Sequence, residues 1–185
     1  MAETLRNIYH KPESFIQPNI EGLRIVGMIG PDRIAALQST SGRELWVMQG
    51  QLPPDELEPI APLVQDTVAV YPGDPINVSV TKTHFDPQTD DPFYARMLAD
   101  IMDEAPADPV HRDEESLFTR LVCDNNPTVF YPTKENGQAD MSQAWQPKPG
   151  EVVEFTNQVW HSPPLLVVGS GLRTLLTLRI GIGDL

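Results

Sequence analysis

Residues 109–132, PVHRDEESLFTRLVCDNNPTVFYP, contain two apolar runs separated by the turn sequence Asp124-Asn125-Asn126-Pro127. Runs rich in β-branched and aromatic residues predict strands, and clusters of Asp, Asn and Pro predict turns. We therefore expect strands over Leu117 to Cys123 and Thr128 to Tyr131, with a reversal of the chain between them. Pro147-Lys148-Pro149-Gly150 predicts a similar turn before a further strand.

The same signals recur on both sides of this stretch. The other predicted strands are Gly22 to Met28, Glu44 to Met48, Thr67 to Tyr71, Ile76 to Thr83, Glu151 to Phe155, Val159 to Ser162 and Arg173 to Ile180. Many short strands with turn signals between them are typical of a sandwich or a barrel. We therefore predict a mainly β fold.

Helices are expected to be few and short because 19 prolines punctuate the 185 residues, about twice the ordinary usage. The predicted helices are Pro31 to Gln38, Pro54 to Gln65 and Asp91 to Asp103. The polar, aperiodic stretch Thr133 to Gln146 is interpreted as an exposed loop.

Length and charge limit the classes of function. A chain of 185 residues fits one domain, residues 1–185. Its 13 Lys and Arg against 26 Asp and Glu give a net charge of −13, which repels phosphate backbones and anionic lipid. We therefore expect neither nucleic acid nor a membrane as a partner.

Compartment is inferred from the N-terminus and from Cys123, the single cysteine. A lone cysteine in an apolar stretch forms no internal disulfide and is interpreted as a buried hydrophobe. Residues 1–20 lack an apolar signal core, and no apolar run is long enough to span a bilayer. These features predict a soluble cytoplasmic protein, and its oligomeric state is left open.

Four residues in the second half form a chemical pattern: His111 and Asp113, then His161, then Arg173 twelve positions later. Two imidazoles and one carboxylate are the ligands of the facial triad in non-haem Fe(II) oxygenases. A spacing of two directs His111 and Asp113 to the same side of an extended chain. His161 must come from another strand.

Three segments together resemble the Fe(II)- and 2-oxoglutarate-dependent oxygenase superfamily: residues 109–132, PGEVVEFTNQVWHSPP at 149–164, and GLRTLLTLRI at 171–180. The resemblance implies a double-stranded β-helix, a jelly-roll or cupin-like barrel, over residues 109–180. Residues 1–108 are not covered, and we expect them to supply strands and helices that support the barrel.

The resemblance also implies the roles of the four residues. His111, Asp113 and His161 would hold Fe(II), and 2-oxoglutarate would occupy two of the remaining metal positions. Arg173 would pair with the far carboxylate of 2-oxoglutarate, since a buried guanidinium needs a partner. Arg179, six residues on and on the same face of a regular strand, is the second candidate for this role.

Weaker candidates remain open in three places. Arg120, Thr128 and Tyr131 are candidate hydrogen-bond partners of the cosubstrate, although an ordinary structural role, such as an edge ion pair for Arg120 and core packing for Tyr131, is slightly favoured for each. His84-Phe85-Asp86 is a second His-x-Asp sequence, but the strand, turn and strand expected after the acid do not follow it. Alternation along a strand favours core packing over a pocket wall for Trp160.

The predicted activity is oxidation of a small organic substrate by dioxygen, with 2-oxoglutarate converted to succinate and carbon dioxide. The presence of Asp113 favours hydroxylation or desaturation over halogenation, because related halogenases lack this carboxylate. Two alternatives are a cupin-like metalloenzyme that does not use 2-oxoglutarate and a non-catalytic barrel that binds a ligand. The sequence does not identify the substrate.

Overall fold

The computed structural model describes residues 9–10, 15–37, 45–50, 55–85, 110–113, 115–163 and 171–182. The predicted helix Asp91 to Asp103, as well as Asp86 of the second His-x-Asp sequence, lies outside the described residues. Among those that are described, strands dominate, and the predicted mainly β fold with few short helices is confirmed.

Nine strands are present in the described part of the chain. They are β1 (Tyr9–His10), β2 (Leu23–Ile29), β3 (Leu45–Val47), β4 (Ile76–Phe85), β5 (Ser116–Cys123), β6 (Val129–Tyr131), β7 (Glu151–Thr156), β8 (Trp160–Ser162) and β9 (Gly171–Ile182). All predicted strands but one therefore have a counterpart, with ends that differ by at most two residues.

The strands form two antiparallel sheets. The large sheet has the order β1-β2-β7-β5-β9-β4-β3, and the small sheet pairs β6 with β8. Single bridges extend the small sheet on both sides, from His111 to His161 and from Phe130 to Trp145. Phe130 of the small sheet packs on Phe155 of the large one, with ring centroids 5.1 Å apart, so the two sheets face each other across a core.

Helices cover the other face of the large sheet. They are α1 (Pro31–Ala35), a 3-10 helix (Asp55–Ile60) and α2 (Ala61–Val70), and a second 3-10 helix (Met141–Gln143) lies in the exposed loop. Leu63 and Val64 of α2 are fully buried in one cluster with Leu176 and Leu178 of β9. None of the helices in the described ranges has the length and hydrophobicity needed to cross a bilayer.

The predicted strand Thr67 to Tyr71 is wrong, because residues 67–70 continue α2. Leu63, Val64 and Thr67 are buried at helical spacing, and the Thr67 hydroxyl donates to the Leu63 carbonyl at 2.8 Å. Packing of this face on the sheet outweighs the β-propensity of Thr and Val. The predicted helix Pro54 to Gln65 is accordingly split, into the 3-10 helix and the first half of α2.

Successive side chains of β9 point to opposite faces of the large sheet. Leu176, Leu178 and Ile180 are buried on the helix-covered face. Arg173, Leu175, Thr177 and Arg179 are the intervening residues, and all four line a cavity between the two sheets. One strand therefore supplies the helix-side core and the cavity wall.

Gly150 closes the predicted turn before β7. It has φ +83°, and a Cβ atom there would lie 2.3 Å from the Ile29 carbonyl oxygen. Its amide donates to the Cys123 carbonyl at 2.9 Å, and its own carbonyl accepts from the Ile29 amide at 2.8 Å. Glycine is required because no side chain fits where three strands meet.

Candidate metal centre and adjoining cavity

The backbone of residue 111 pairs with the backbone of residue 161 in the small sheet. The His111 amide donates to the His161 carbonyl at 2.9 Å, and the His161 amide donates to the His111 carbonyl at 3.0 Å. Directly paired residues project their side chains to the same side of a sheet. The two imidazoles are accordingly brought together, with ring centroids 4.4 Å apart, although fifty residues separate them in sequence.

Asp113 completes the cluster. Its Oδ1 lies 3.6 Å from Nε2 of His161 and 3.8 Å from Nε2 of His111. One donor atom from each of the three residues lies within 4.8 Å of the others. Donors on one face of an ion with bonds of about 2.1 Å stand about 3.0–3.4 Å apart. The donor atoms are spread over as much as 4.8 Å, so the three residues fit a metal ion once their side chains draw together.

His161 is held in the orientation that a metal ligand needs. Its Nδ1 lies 3.1 Å from the Val159 carbonyl, and a carbonyl accepts only from a protonated nitrogen. With Nδ1 protonated, Nε2 is the nitrogen that faces Asp113: it donates to the carboxylate when the ring is charged, and it offers a lone pair to a metal when the ring is neutral. The Phe155 ring packs 5.1 Å from the imidazole, so His161 is a buried, fixed donor, whereas the His111 side chain is about half exposed.

Asp113 is in the ionised form that metal binding requires. The adjacent His161 imidazole lowers the pKa of Asp113, burial opposes this effect, and the positive charge of Arg179 lowers the pKa further. The net result is a pKa below the usual value of an aspartate.

Arg112, between the two donors of the His-x-Asp sequence, points away from them. Its guanidinium lies 4.2 Å from the centroid of the Trp160 ring, a cation–π contact. The Arg112 guanidinium and the Trp160 indole both donate to the Gly137 carbonyl, at 3.4 and 3.2 Å. Trp160 thus packs on the outer side of the small sheet with Val110, as alternation predicts.

A cavity of about 160 Å³ adjoins the three candidate ligands. Its walls come from both sheets and from the ends of their strands. The lining residues are His111, Asp113, Thr119, Leu121, Thr128, His161, Ser162, Pro163, Arg173, Leu175, Thr177 and Arg179. The structure therefore brings together the predicted triad, Arg173, its second candidate Arg179, and Thr128.

Arg173 is a buried cation with neutral partners. Its Nε donates to the Asn126 carbonyl at 2.8 Å, and one terminal nitrogen donates to Thr128 Oγ1 at 3.0 Å and contacts Cys123 Sγ at 3.4 Å. Among the described residues no carboxylate lies within 4.0 Å of the guanidinium. Burial of an uncompensated charge is costly, so this end of the cavity favours an anionic ligand. Cys123 is buried as expected, and burial raises the pKa of its thiol.

Arg120 lies on the helix-covered face of the large sheet, which corrects its assignment as a cosubstrate contact. Its Nε donates to Glu154 at 2.8 Å, and a terminal nitrogen donates to Asp66 at 2.9 Å and to Thr67 at 2.8 Å. The guanidinium therefore ties β5 to β7 and α2. Thr119, one residue earlier on β5, faces the cavity instead.

Tyr131 is likewise placed away from the cavity. It packs with Val110 and Val129 on the outer side of the small sheet, and its hydroxyl lies 3.0 Å from Ser162 Oγ. Thr128 differs because it faces the cavity and accepts a hydrogen bond from Arg173. Of the three weaker candidates, only Thr128 is therefore a cavity residue.

Sequence reasoning missed several cavity residues, chiefly Thr119 and Thr177. Thr177 lies on β9 and points to the same side as Arg173 and Arg179. Thr119 lies on the adjacent strand β5 and is paired with Arg179, as Leu121 is with Thr177. Their chemistry is unremarkable in a sequence, so only the strand register could have identified them.

Comparison with known proteins gives no family for the chain. A scan against protein-family models gives no match, and a search of curated proteins finds no significant relative.

Proposed function

We propose that this protein is a non-haem Fe(II)- and 2-oxoglutarate-dependent oxygenase that hydroxylates or desaturates a small organic molecule. The observation that carries the proposal is the convergence of His111, Asp113 and His161 at the edge of a cavity. The buried Arg173, with no acidic partner among the described residues, supports it. An electropositive cavity beside a two-histidine, one-carboxylate donor set suits a metal-chelating dicarboxylate.

The order of the strands supports a double-stranded β-helix. Adjacent strands β7-β5-β9-β4 form the centre of the large sheet, and the segments at His111, β8, β6 and Trp145 lie side by side in the small one. From β4 to β9 successive segments of the chain alternate between the large and the small sheet. The one exception is that β6 and the segment at Trp145, which are consecutive, both belong to the small sheet. A jelly roll also places eight segments in two facing sheets, and this likeness supports the proposed double-stranded β-helix.

The donor set is suited to Fe(II). Neutral imidazole and carboxylate bind this ion well, and three ligands on one face leave open positions for a chelating cosubstrate and dioxygen. When bound, Fe(II) with 2-oxoglutarate supplies the activation of dioxygen needed to oxidise an unactivated C–H bond. The chain's task is to orient the reactants and to exclude water.

Each residue has a distinct part in that task. His161 presents Nε2 because its Nδ1 is committed to the Val159 carbonyl. Arg173 and Thr128 would bind the far carboxylate of 2-oxoglutarate through charge-assisted and neutral hydrogen bonds. Leu121 and Leu175 give the wall between the sheets an apolar surface, which limits the access of water to the reacting atoms.

Anaerobic titration with Fe(II) and 2-oxoglutarate tests the proposal. We expect a visible metal-to-ligand charge-transfer band, followed by release of succinate when dioxygen is admitted. Asp113→Ala should lose the band, and Arg173→Ala should raise the 2-oxoglutarate concentration needed for half of its amplitude by tenfold or more. Arg33→Ala, on α1, is the matched control. Absence of the band in the intact protein would refute the proposal.

A cupin-like metalloenzyme that does not use 2-oxoglutarate is the second candidate. One observation favours it: Arg173 already donates to Asn126, Thr128 and Cys123. These hydrogen bonds give the guanidinium a structural role that does not require a dicarboxylate. This candidate predicts Fe(II) binding at the triad with no response to 2-oxoglutarate, in wild type and in Arg173→Ala alike.

A further inference from the structure

We propose that Arg179 and Asn77 form a subsite for an anionic group of the substrate, so that the molecule oxidised is a small organic acid. That the bound anion is the substrate rests on the proposed function. The subsite itself depends only on the geometry of the large sheet beside the triad.

The two side chains are neighbours on one face of the sheet. Asn77 of β4 is paired with Arg179 of β9, and Arg179 is also paired with Thr119 of β5. Directly paired residues in an antiparallel sheet have Cβ atoms about 4.5–5.5 Å apart and point the same way. Because Arg179 and Thr119 line the cavity, Asn77 faces the same side of the sheet.

Arg179 is a cation without a close counterion in the described part of the chain. No carboxylate there lies within 4.0 Å of it, and no hydrogen bond from its guanidinium to a described residue is present. It is nevertheless close enough to Asp113 to act on that carboxylate electrostatically. The guanidinium is therefore beside the candidate metal centre and has donors available for a ligand.

The side chain of Asn77 is buried and has no hydrogen-bond partner, which supports the subsite independently of Arg179. Its side chain is 1% exposed, yet neither its amide nitrogen nor its amide oxygen has a hydrogen-bond partner. Leaving a buried carboxamide unsatisfied costs free energy. Asn77 lies behind the residues that line the cavity, so a ligand oxygen would reach its amide nitrogen only after a neighbouring side chain moves, and would then satisfy one of the two atoms.

Charge supports an anion distinct from the cosubstrate. With both imidazoles neutral, the described residues that line the cavity include one carboxylate, Asp113, and two guanidiniums, Arg173 and Arg179. A divalent metal ion adds two positive charges, and 2-oxoglutarate removes two. Counted over these described residues, the loaded site keeps the net positive charge that it has when empty, which favours a second anion.

Distance separates the roles of the two arginines. They are six residues apart on a regular strand, so their Cα atoms stand about 20 Å apart. A five-carbon dicarboxylate that chelates the metal reaches one guanidinium only. With Arg173 and Thr128 at the cosubstrate end, Arg179 is left for the other reactant, whose anionic group would lie close to the metal centre.

The chemistry of the subsite selects a compact oxyanion. A guanidinium binds a carboxylate or a sulfonate through two parallel hydrogen bonds, and the amide of Asn77 adds a third donor. Because Arg179 and Asp113 line the same cavity, the carbon that is oxidised would belong to the same small molecule as the anionic group.

Anion binding to the metal-free, ¹⁵N-labelled full chain tests the subsite by NMR. The probes are phenylacetate and phenylmethanesulfonate, with phenylacetamide as the uncharged match. Both anions are expected to shift the side-chain Nε–H resonance of Arg179, identified by its loss in Arg179→Gln, and to bind at least tenfold more tightly than the amide. Asn77→Ala should weaken anion binding about threefold to tenfold, and Asn77→Asp should abolish it.

Arg33→Gln is the control for loss of one arginine, and Arg179→Lys, which keeps the charge, should retain part of the binding. Anions that shift only the Arg173 resonance, or that bind no better than the amide, would overturn the subsite. The charge-transfer band reports separately on the proposed function. A band without anion binding leaves an oxygenase whose substrate is not held here, and anion binding without a band supports the subsite and refutes the oxygenase.

Discussion

Arg112 separates His111 from Asp113 in sequence and directs both of them toward the cavity by pointing the other way. Its contact with Trp160 and its hydrogen bond to Gly137 anchor the middle of the His-x-Asp sequence to the outer side of the small sheet. A residue that touches no ligand is therefore expected to influence how tightly a metal is held.

Arg112→Ala should weaken metal binding because the loss of the cation–π contact allows the two donors to move independently. A contact of about 0.5–1 kcal/mol corresponds to a twofold to fivefold rise in Kd. Titration with Zn(II), which is stable in air, measures it, with Arg33→Ala as the control. An unchanged Kd would show that the backbone pairing of residues 111 and 161 fixes the donors alone.

Alternation within a strand decides which of the candidate residues face the cavity. The order and spacing of His111, Asp113, His161 and Arg173 predicted residues that do meet at one cavity. Arg120 is as prominent in sequence as Arg173, yet it faces α2. A sequence gives the alternation of a strand but not which of its two sets faces inward when both contain charges.

The helix α2 is attached to the large sheet by charge as well as by apolar packing. Glu154 of β7 accepts hydrogen bonds from Arg120 and from Arg24. Arg120 also donates to Asp66 and Thr67 of α2. Burial raises the pKa of Glu154, but the hydrogen bonds from the two arginines outweigh burial, and the pKa lies below the usual value. Burial also raises the pKa of the neighbouring Tyr71, to about 12.

Glu154→Gln should therefore change how stability depends on pH. Because the pKa of Glu154 is lower in the folded than in the unfolded chain, its ionisation stabilises the fold above about pH 4.3 and this contribution disappears as the pH falls further. The variant should be less stable than wild type at pH 7, and the difference should narrow between about pH 5 and pH 3. Urea unfolding across this range measures the effect.

Glu58→Gln, at an exposed residue of the 3-10 helix, controls for loss of one carboxylate. Parallel pH profiles for Glu154→Gln and wild type would contradict a depressed pKa at residue 154.

Strands were predicted correctly where turn residues bounded an apolar run. The prediction failed where tertiary packing determined the secondary structure. Thr67 to Tyr71 has strand composition, but its first four residues extend a helix that begins at Ala61. The burial of Leu63 and Val64 against β9 depends on contacts that are remote in sequence. Local propensity cannot register such contacts.

The large sheet divides the protein into a packing side and a chemical side. One face carries α1, α2 and the larger apolar cluster, and the other faces the cavity and the small sheet. The three candidate ligands lie in the segment before β5 and in β8, so a bound metal would add a link between two segments that the bridge of residues 111 and 161 already pairs.

Zn(II) is accordingly expected to stabilise the folded chain. A ligand at a hundred times its Kd adds about 2.7 kcal/mol, which for a protein of this size corresponds to a rise of about 5–10 °C in Tm. Calorimetry with and without Zn(II) measures the shift. His161→Ala should abolish it, whereas Asp86→Ala, in the second His-x-Asp sequence, should preserve it. Loss of the shift in Asp86→Ala alone would move the metal site to that sequence.

Strict alternation along β9 has a consequence for how this protein can evolve. Point substitutions at Leu175, Thr177 or Arg179 alter the cavity while leaving the apolar residues between them in place. Deletion or insertion of one residue would instead exchange the two sets, turning guanidiniums toward the helices and leucines toward the triad. Lineages can therefore drift in specificity through single codon changes, but length variation should be confined to the connections on either side of β9.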